Sequence, residues 1–360
     1  MTGFSRYYTK WSETVIKKII NRLKLTWQTL RWGRTLHYKI NDLSTLSKVD
    51  LERVKIFFPM PKFFIFGHAR SGTTLLARLI RLHPEVHCNW QTHFFTREPT
   101  LYSLISDIKT RAWLQSDSNR WNWGKDLSLV VLRVVADFIM EQEARERGKW
   151  IVGDKSPNTL MHGKSVELLH NVYPDGKLLF IIRDGRDTLL SHRFQSFIDF
   201  PEYLGDDDLQ IRDDFIQNSE PFFEGKSSLF TEMKLRKVAK VWVRNLKETN
   251  QVGKELYGDQ FFVLKYEDLI SDPYSLLNRL WNFLEVNDNE VSMDEKISRE
   301  MSRNPDADWQ RTKNQEMVNN LEKGTTGTWK ELFTRRDCQI LKEVAGDTLI
   351  HWGYEENYEW

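Results

Sequence analysis

Cysteine is nearly absent from this 360-residue chain, with Cys88 and Cys338 the two present. Two thiols cannot build a disulfide framework and are not spaced as a zinc site; their scarcity fits a reducing compartment, so a cytoplasmic location is expected. Long apolar runs are missing too. The longest, residues 178–182, falls far short of the ~20 residues that cross a bilayer, and the polar, basic residues 1–10 lack the apolar core of a secretory signal. Nor is there an excess of one charge. The 52 Lys and Arg face 51 Asp and Glu, a net of +1 that provides no global field for gathering nucleic acid, which is not expected as a partner. No internal repeat or low-complexity tract is visible. A composition of 40% hydrophobic and 29% charged residues is that of a globular protein and excludes a disordered or collagen-like chain.

Charge is unevenly placed along the chain. Residues 1–40 carry nine Lys and Arg against Glu13 alone, and Trp11, Val15, Ile16, Ile19, Ile20, Leu23, Trp27 and Leu30 recur at steps that put them on one helical face. The pattern predicts a basic amphipathic helix within an extension over residues 1–60. Its apolar stripe suits either a peripheral contact with an anionic membrane surface or packing against the rest of the chain or a partner subunit. Residues 199–224 reverse the sign, with nine acids against Arg212. They read as an excursion from the core, either a substrate lid or a solvated surface loop.

From residue 61 onward apolar strand-like runs alternate with helical spacing. Strands are predicted over 62–67, 150–153, 178–182 and 261–264, and helices through Leu75, Leu76, Leu79 and Ile80 and through Leu276, Leu277, Leu280, Trp281 and Leu284. This order predicts an α/β domain over 61–360: a parallel sheet flanked by helices on both faces, with ligand at the strand C-termini.

The sharpest local signal is Gly67-His68-Ala69-Arg70-Ser71-Gly72-Thr73-Thr74, set between a strand and a helix. Glycines let such a loop curl until successive N–H groups and the helix N-terminus point at one anion. The loop departs from the nucleotide-hydrolase pattern GxxxxGK(S/T), because Thr73 stands where Lys would be and the cation moves into the loop as Arg70. Without that Lys the β/γ-phosphate clamp is missing, so a 5′-phosphate is a better fit than γ-phosphoryl transfer.

Arg70-Ser71-Gly72-Thr73-Thr74 after a hydrophobic strand resembles the 5′-phosphosulfate loop of sulfotransferases that use 3′-phosphoadenosine 5′-phosphosulfate (PAPS). Further segments are similar to that family. Leu178 through Asp187, followed by Ser191, resembles its 3′-phosphate segment, with Arg183 and Ser191 at the matching positions. Arg offers a planar fork of donors to phosphate and Ser adds a hydroxyl; read without the family, Arg183 equally suits an ion pair with Asp184 or Asp187. Lys323-Gly324-Thr325-Thr326-Gly327-Thr328-Trp329-Lys330 resembles the loop that closes over the 3′-phosphate, with Glu322 in place of its leading Arg. Gly153-Asp154-Lys155-Ser156-Pro157-Asn158 is similar to the segment whose Lys lies beside the sulfonyl group, and Lys265-Tyr266-Glu267-Asp268-Leu269 to a stretch after a late strand. The resemblance spans about residues 62–334 and lies closer to the bacterial and tyrosylprotein-type branch, through His83-Pro84-Glu85-Val86 and Arg183-Asp184-Gly185-Arg186.

The resemblance implies a P-loop-like nucleotide-binding fold and transfer of a sulfonyl group from PAPS to an acceptor hydroxyl by in-line displacement, with no metal. The implied cofactor-binding residues are Arg70, Ser71, Gly72, Thr73, Thr74, Arg183, Ser191, Tyr266, Lys323 and Gly324. Arg70 and Lys155 are the cations expected to stabilise charge on the leaving group. Gln91 stands where the tyrosylprotein branch has a Glu base, which leaves His93 either as the base, titrating near pH ~6.5, or as a structural histidine beside Phe94 and Phe95. The acceptor can be a carbohydrate, a peptide tyrosine, a lipid or a small molecule, with Trp90, Trp121 and Trp123 available as an aromatic wall. Oligomeric state stays open. The alternative functions are a P-loop-type kinase with a divergent loop and a non-catalytic nucleotide-binding protein.

Overall fold

Residues 19–20, 22–24, 26–27, 30–31, 42–118, 120–286, 293–303 and 326–360 are those described by the computed structural model. The chain divides into two units, residues 1–42 with 105–128 and residues 43–104 with 129–360. In the smaller unit the described residues between 19 and 31 are helical, with Ile19, Ile20, Leu23, Trp27 and Leu30 exposed; the rest of the predicted basic helix lies outside the described residues. A second helix there, Ile108–Leu114, begins where the Asp107 carboxylate accepts from the Thr110 N–H at 2.8 Å, satisfying one of the donors a helix start leaves unpaired. From its last turn the ring of Trp113 stacks on that of Trp121 at 4.5 Å.

The larger unit is built on five parallel strands: β1 (Lys62–Gly67), β2 (Val86–Trp90), β3 (Ile151–Lys155), β4 (Lys177–Ile182) and β5 (Phe261–Lys265), in the order β2-β3-β1-β4-β5. Every residue of central β1 is buried, which is why Phe63-Phe64-Ile65-Phe66 runs apolar without alternation: a parallel strand covered on both faces has no solvent side. One face packs Phe63, Ile65, Leu179 and Ile181 against helices α1 (Thr73–Ile80) and α8 (Pro273–Leu284), through Leu76, Leu79, Leu277 and Leu280. On the other face Phe64 meets Tyr173 with ring centroids 4.8 Å apart, and α6 (Glu232–Tyr257) lies along β4 and β5. Five further helices complete the unit's main frame: α2 (Ser128–Glu146), α3 (Gly163–Val172), α4 (Gly185–Asp199), α5 (Asp206–Gln217) and α7 (Tyr266–Ser271), with α9 (Arg335–His351) near the C-terminus. The expected parallel α/β sheet with helices on both faces is thus the observed architecture.

Two expectations are corrected. Strand β2 is not among the predicted strands, which are all unbroken apolar runs, whereas Val86-His87-Cys88-Asn89-Trp90 alternates apolar and polar positions as a half-buried edge strand does; its pairing with β3, from Val86 with Ile151 to Trp90 with Lys155, satisfies its backbone on one side. Pairing on two sides likewise carries β3 on to Lys155, whereas Trp150 stays outside it and exposed. The acidic residues 199–224 are not an irregular loop, although most of their acids are exposed. They include α5 and the short helix Glu220–Phe223, and buried Phe215 packs on Phe194 and Phe222 at 5.3 Å each. Asp206, Asp207 and Asp208 occupy the first turn of α5, where the helix dipole favours negative charge, and Asp208 also pairs with buried Arg193 at 2.7 Å.

Candidate active site

The strand order brings four C-terminal ends together. Gly67 of β1 lies beside Ile181 of β4, Ile65 beside Lys155 of β3, and Ile182 beside Lys265 of β5. Residues just past those ends are the loop 68–72, Arg183 and Tyr266, and parallel register makes them neighbours although they come from distant parts of the chain. Within the loop Ser71 N–H donates to the His68 carbonyl at 3.0 Å, and the backbone turns left-handed at Arg70 (φ 74°) and Gly72 (φ 89°). Gly72 is required twice over: φ is unfavourable for a side chain, and an added Cβ would sit 2.2 Å from the Tyr266 ring. The turn delivers the first N–H groups of α1, which have no acceptor within a helix, to the end of the loop. Ser71 Oγ is fully buried with no hydrogen-bond partner among the described residues. A hydroxyl so placed is costly unless a ligand bonds to it, and with the adjoining N–H groups it fits a phosphate.

The predicted cations converge on this loop. Arg70 Nε donates to Ser191 Oγ at 3.1 Å, and Arg183 Nη1 donates to the Arg70 carbonyl at 3.2 Å while its guanidinium lies 4.5 Å from the centre of the Tyr266 ring. Arg70, Gly72, Arg183, Ser191 and Tyr266 therefore form one connected group. Lys155 reaches the same helix start from β3: its Nζ donates to Thr74 Oγ1 at 3.3 Å and stands 5.1 Å from the ring centre of Trp90, itself half-exposed. Thr73 is buried at the first position of α1. Of the ion-pair partners weighed for Arg183, Asp184 pairs with Arg186 at 2.7 Å, while Asp187 accepts from two backbone N–H groups and also feels the Arg183 charge. Lys323 and Gly324, with Glu322, lie outside the described residues.

His93 sits in the loop after β2, anchored by its N–H to Ser156 Oγ at 3.0 Å, with Nδ1 2.7 Å from Thr96 Oγ1. Burial lowers its pKa, and the charges of Arg97 and Lys155 lower it further, so the imidazole is neutral near pH 7. Asp154 ties that loop to β3, accepting from Thr92 N–H at 3.1 Å and Ser156 Oγ at 2.6 Å, and burial raises its own carboxyl. Gln91 is held by its N–H to the Lys155 carbonyl at 2.8 Å.

Two further residues inside the quoted motifs are held in defined surroundings. His68 is buried, its Nδ1 2.8 Å from the Ala69 carbonyl and its ring 6.4 Å from that of His192; desolvation pushes it down to about 4. Glu267 accepts from the Asp184 N–H at 3.0 Å and from the Tyr354 hydroxyl at 3.2 Å, joining the start of α7 to the end of β4. Among the described residues no group of three or more His, Cys, Asp or Glu is arranged to hold a metal ion, and no helix is long and apolar enough to cross a membrane.

Comparison with known proteins agrees with this geometry. A sequence model of the Sulfotransferase family matches residues 61–290. Protein-tyrosine sulfotransferase A of Caenorhabditis elegans is 32% identical over 135 residues, covering 36% of this chain and 32% of the relative. The protein-tyrosine sulfotransferase of Drosophila melanogaster is 26% identical over 230 residues, covering 63% and 38%. The matched part is therefore well under half the length of these curated relatives. A solved mouse sulfotransferase complexed with PAP is 14% identical, covers 80% of this chain and 84% of its own, and superimposes with a TM-score of 0.44. The relatives overturn the expected cytoplasmic location, because protein-tyrosine sulfotransferases are Golgi membrane enzymes. That expectation rested on scarce cysteine, and a chain with two unpaired thiols is as compatible with an oxidising lumen as with the cytosol. With residues 61–290 matched, the chain belongs to the sulfotransferase family.

Proposed function

We propose that the chain transfers a sulfonyl group from PAPS to a tyrosine hydroxyl of a peptide or protein. The observation that carries the nucleotide half is the connected group of loop, Arg183, Ser191 and Tyr266 around the buried Ser71 hydroxyl; the names of the relatives support the acceptor half. PAPS supplies an activated sulfonyl group on its 5′-phosphate. The 68–74 loop and the start of α1 hold that phosphate, and Arg183 with Ser191 hold the 3′-phosphate. Arg70 and Lys155 offset the negative charge that grows on the leaving oxygen, acting in a partly dry site where such charges count most. His93 keeps Nδ1 on Thr96, which leaves Nε2 to take the proton of the attacking hydroxyl.

Calorimetric titration with 3′-phosphoadenosine 5′-phosphate in the absence of metal tests the reading, run beside ATP with magnesium. Binding of the bisphosphate is expected, weakened about 10–100-fold in Arg183→Ala, the range for losing charged hydrogen bonds. Preference for ATP with magnesium would make the protein a kinase, and binding of neither would leave a non-catalytic loop.

A further inference from the structure

Asp187 places a carboxylate in the middle of the proposed 3′-phosphate segment, four residues after Arg183 and four before Ser191, in the first turn of α4. Charge alone would make it a hindrance to a phosphate. Its oxygens are both spoken for: Oδ2 accepts from the Gly327 N–H at 2.7 Å and Oδ1 from the Trp329 N–H at 3.1 Å. Gly327 takes φ 85°, the left-handed region that suits glycine, within the turn that presents both donors. The neighbouring residue grips the same turn. Buried Arg186 lies 3.8 Å from the ring centre of Trp329 and 4.6 Å from that of Trp360, and it pairs with Asp184 and Glu355. Asp184 in turn caps α4 by accepting from the Arg186 N–H at 2.9 Å. Residues 184–187 and the 327–329 turn, 140 positions apart, are thus cross-linked by charge-assisted and stacking contacts.

We infer that Asp187 is a positioning residue for nucleotide recognition, holding the 327–329 turn against the first turn of α4 and so fixing Arg183 and Ser191 for the 3′-phosphate. This rests on the proposed nucleotide site. The test compares two probes, 3′-phosphoadenosine 5′-phosphate and adenosine 5′-phosphate, titrated calorimetrically into the wild type, Asp187→Asn, Arg186→Lys and Arg183→Ala. Asp187→Asn removes a negative charge, so simple electrostatics predicts tighter binding of the bisphosphate; positioning predicts binding about tenfold weaker, equivalent to ~1.4 kcal/mol, with the monophosphate unaffected. Arg186→Lys keeps its charge but loses the planar stack, and should repeat the selective loss to a smaller extent. Equal or tighter bisphosphate binding in Asp187→Asn, or equal losses for both nucleotides, overturns the inference while a weakened Arg183→Ala leaves the nucleotide site standing. Should Arg183→Ala bind like the wild type, the nucleotide site itself is misassigned. If Asp187→Asn fails to fold, the ratio of the two affinities in Arg186→Lys decides by the same criteria.

Discussion

Lys155 and His93 share a corner of the site with different proposed tasks, and their substitutions should separate. Lys155 is buried at the end of β3 and contacts the start of α1, where the proposed reaction develops charge on the leaving oxygen. Lys155→Ala is expected to lower kcat about 100-fold, the usual scale for one such stabilising group, with a much smaller change in nucleotide affinity; steady-state kinetics at saturating PAPS would measure it. For His93 the sign follows from its environment. Burial, then Arg97 and Lys155, lower its pKa, so the neutral form predominates at pH 7, and activity should fall as pH drops through a value below ~6.5. That acidic limb of kcat/KM should disappear in His93→Ala, and its survival would return His93 to a structural role. The presence of these residues is legible in the motifs. Their pairing is not, because the contacts between Lys155 and Thr74 and between Arg70 and Ser191 join residues 81 and 121 positions apart.

Elements made of charged residues were the hardest to read. Most of the nine acids between 199 and 224 are exposed, as their density in one dimension suggests, yet Phe215 and Phe222 bury among them and the Asp208 carboxylate meets Arg193, whose side chain is 2% exposed. Burial disfavours the Asp208 charge, but the Arg193 guanidinium outweighs it and holds the carboxyl below its ordinary value. Removing it leaves a buried cation without its acid, so Asp208→Ala should destabilise the protein by about 2 kcal/mol, less than a fully buried pair because Asp208 is partly exposed. Urea unfolding at pH 7 would show it. The difference from wild type should persist above the unfolded-state pKa of ~3.9 and vanish as pH falls through the lower folded-state value. Strand β2 illustrates the converse case, an element with a weak pattern that exists because its neighbour β3 supplies the hydrogen bonds.

Across the larger unit, the order β2-β3-β1-β4-β5 makes the nucleotide site a product of the fold as a whole, and occupancy should therefore stabilise the whole fold. At a concentration 100 times Kd, 3′-phosphoadenosine 5′-phosphate contributes about 2.7 kcal/mol, enough to raise the melting temperature by roughly 5 °C, while Arg183→Ala should show little shift at the same concentration. Differential scanning calorimetry would record both. By itself the sequence determined the parallel α/β class, the phosphate loop and the family, because those depend on local features: an unbroken apolar strand, glycines where the chain must turn, and an Arg or Ser at a set distance from a strand end. Only the tertiary structure decided that Asp184 belongs to Arg186, that Asp187 serves a turn 140 residues away, and that the acidic stretch has a buried aromatic core. Ion pairing and burial depend on which surfaces meet, and a one-dimensional pattern contains no term for a partner that is distant in the chain.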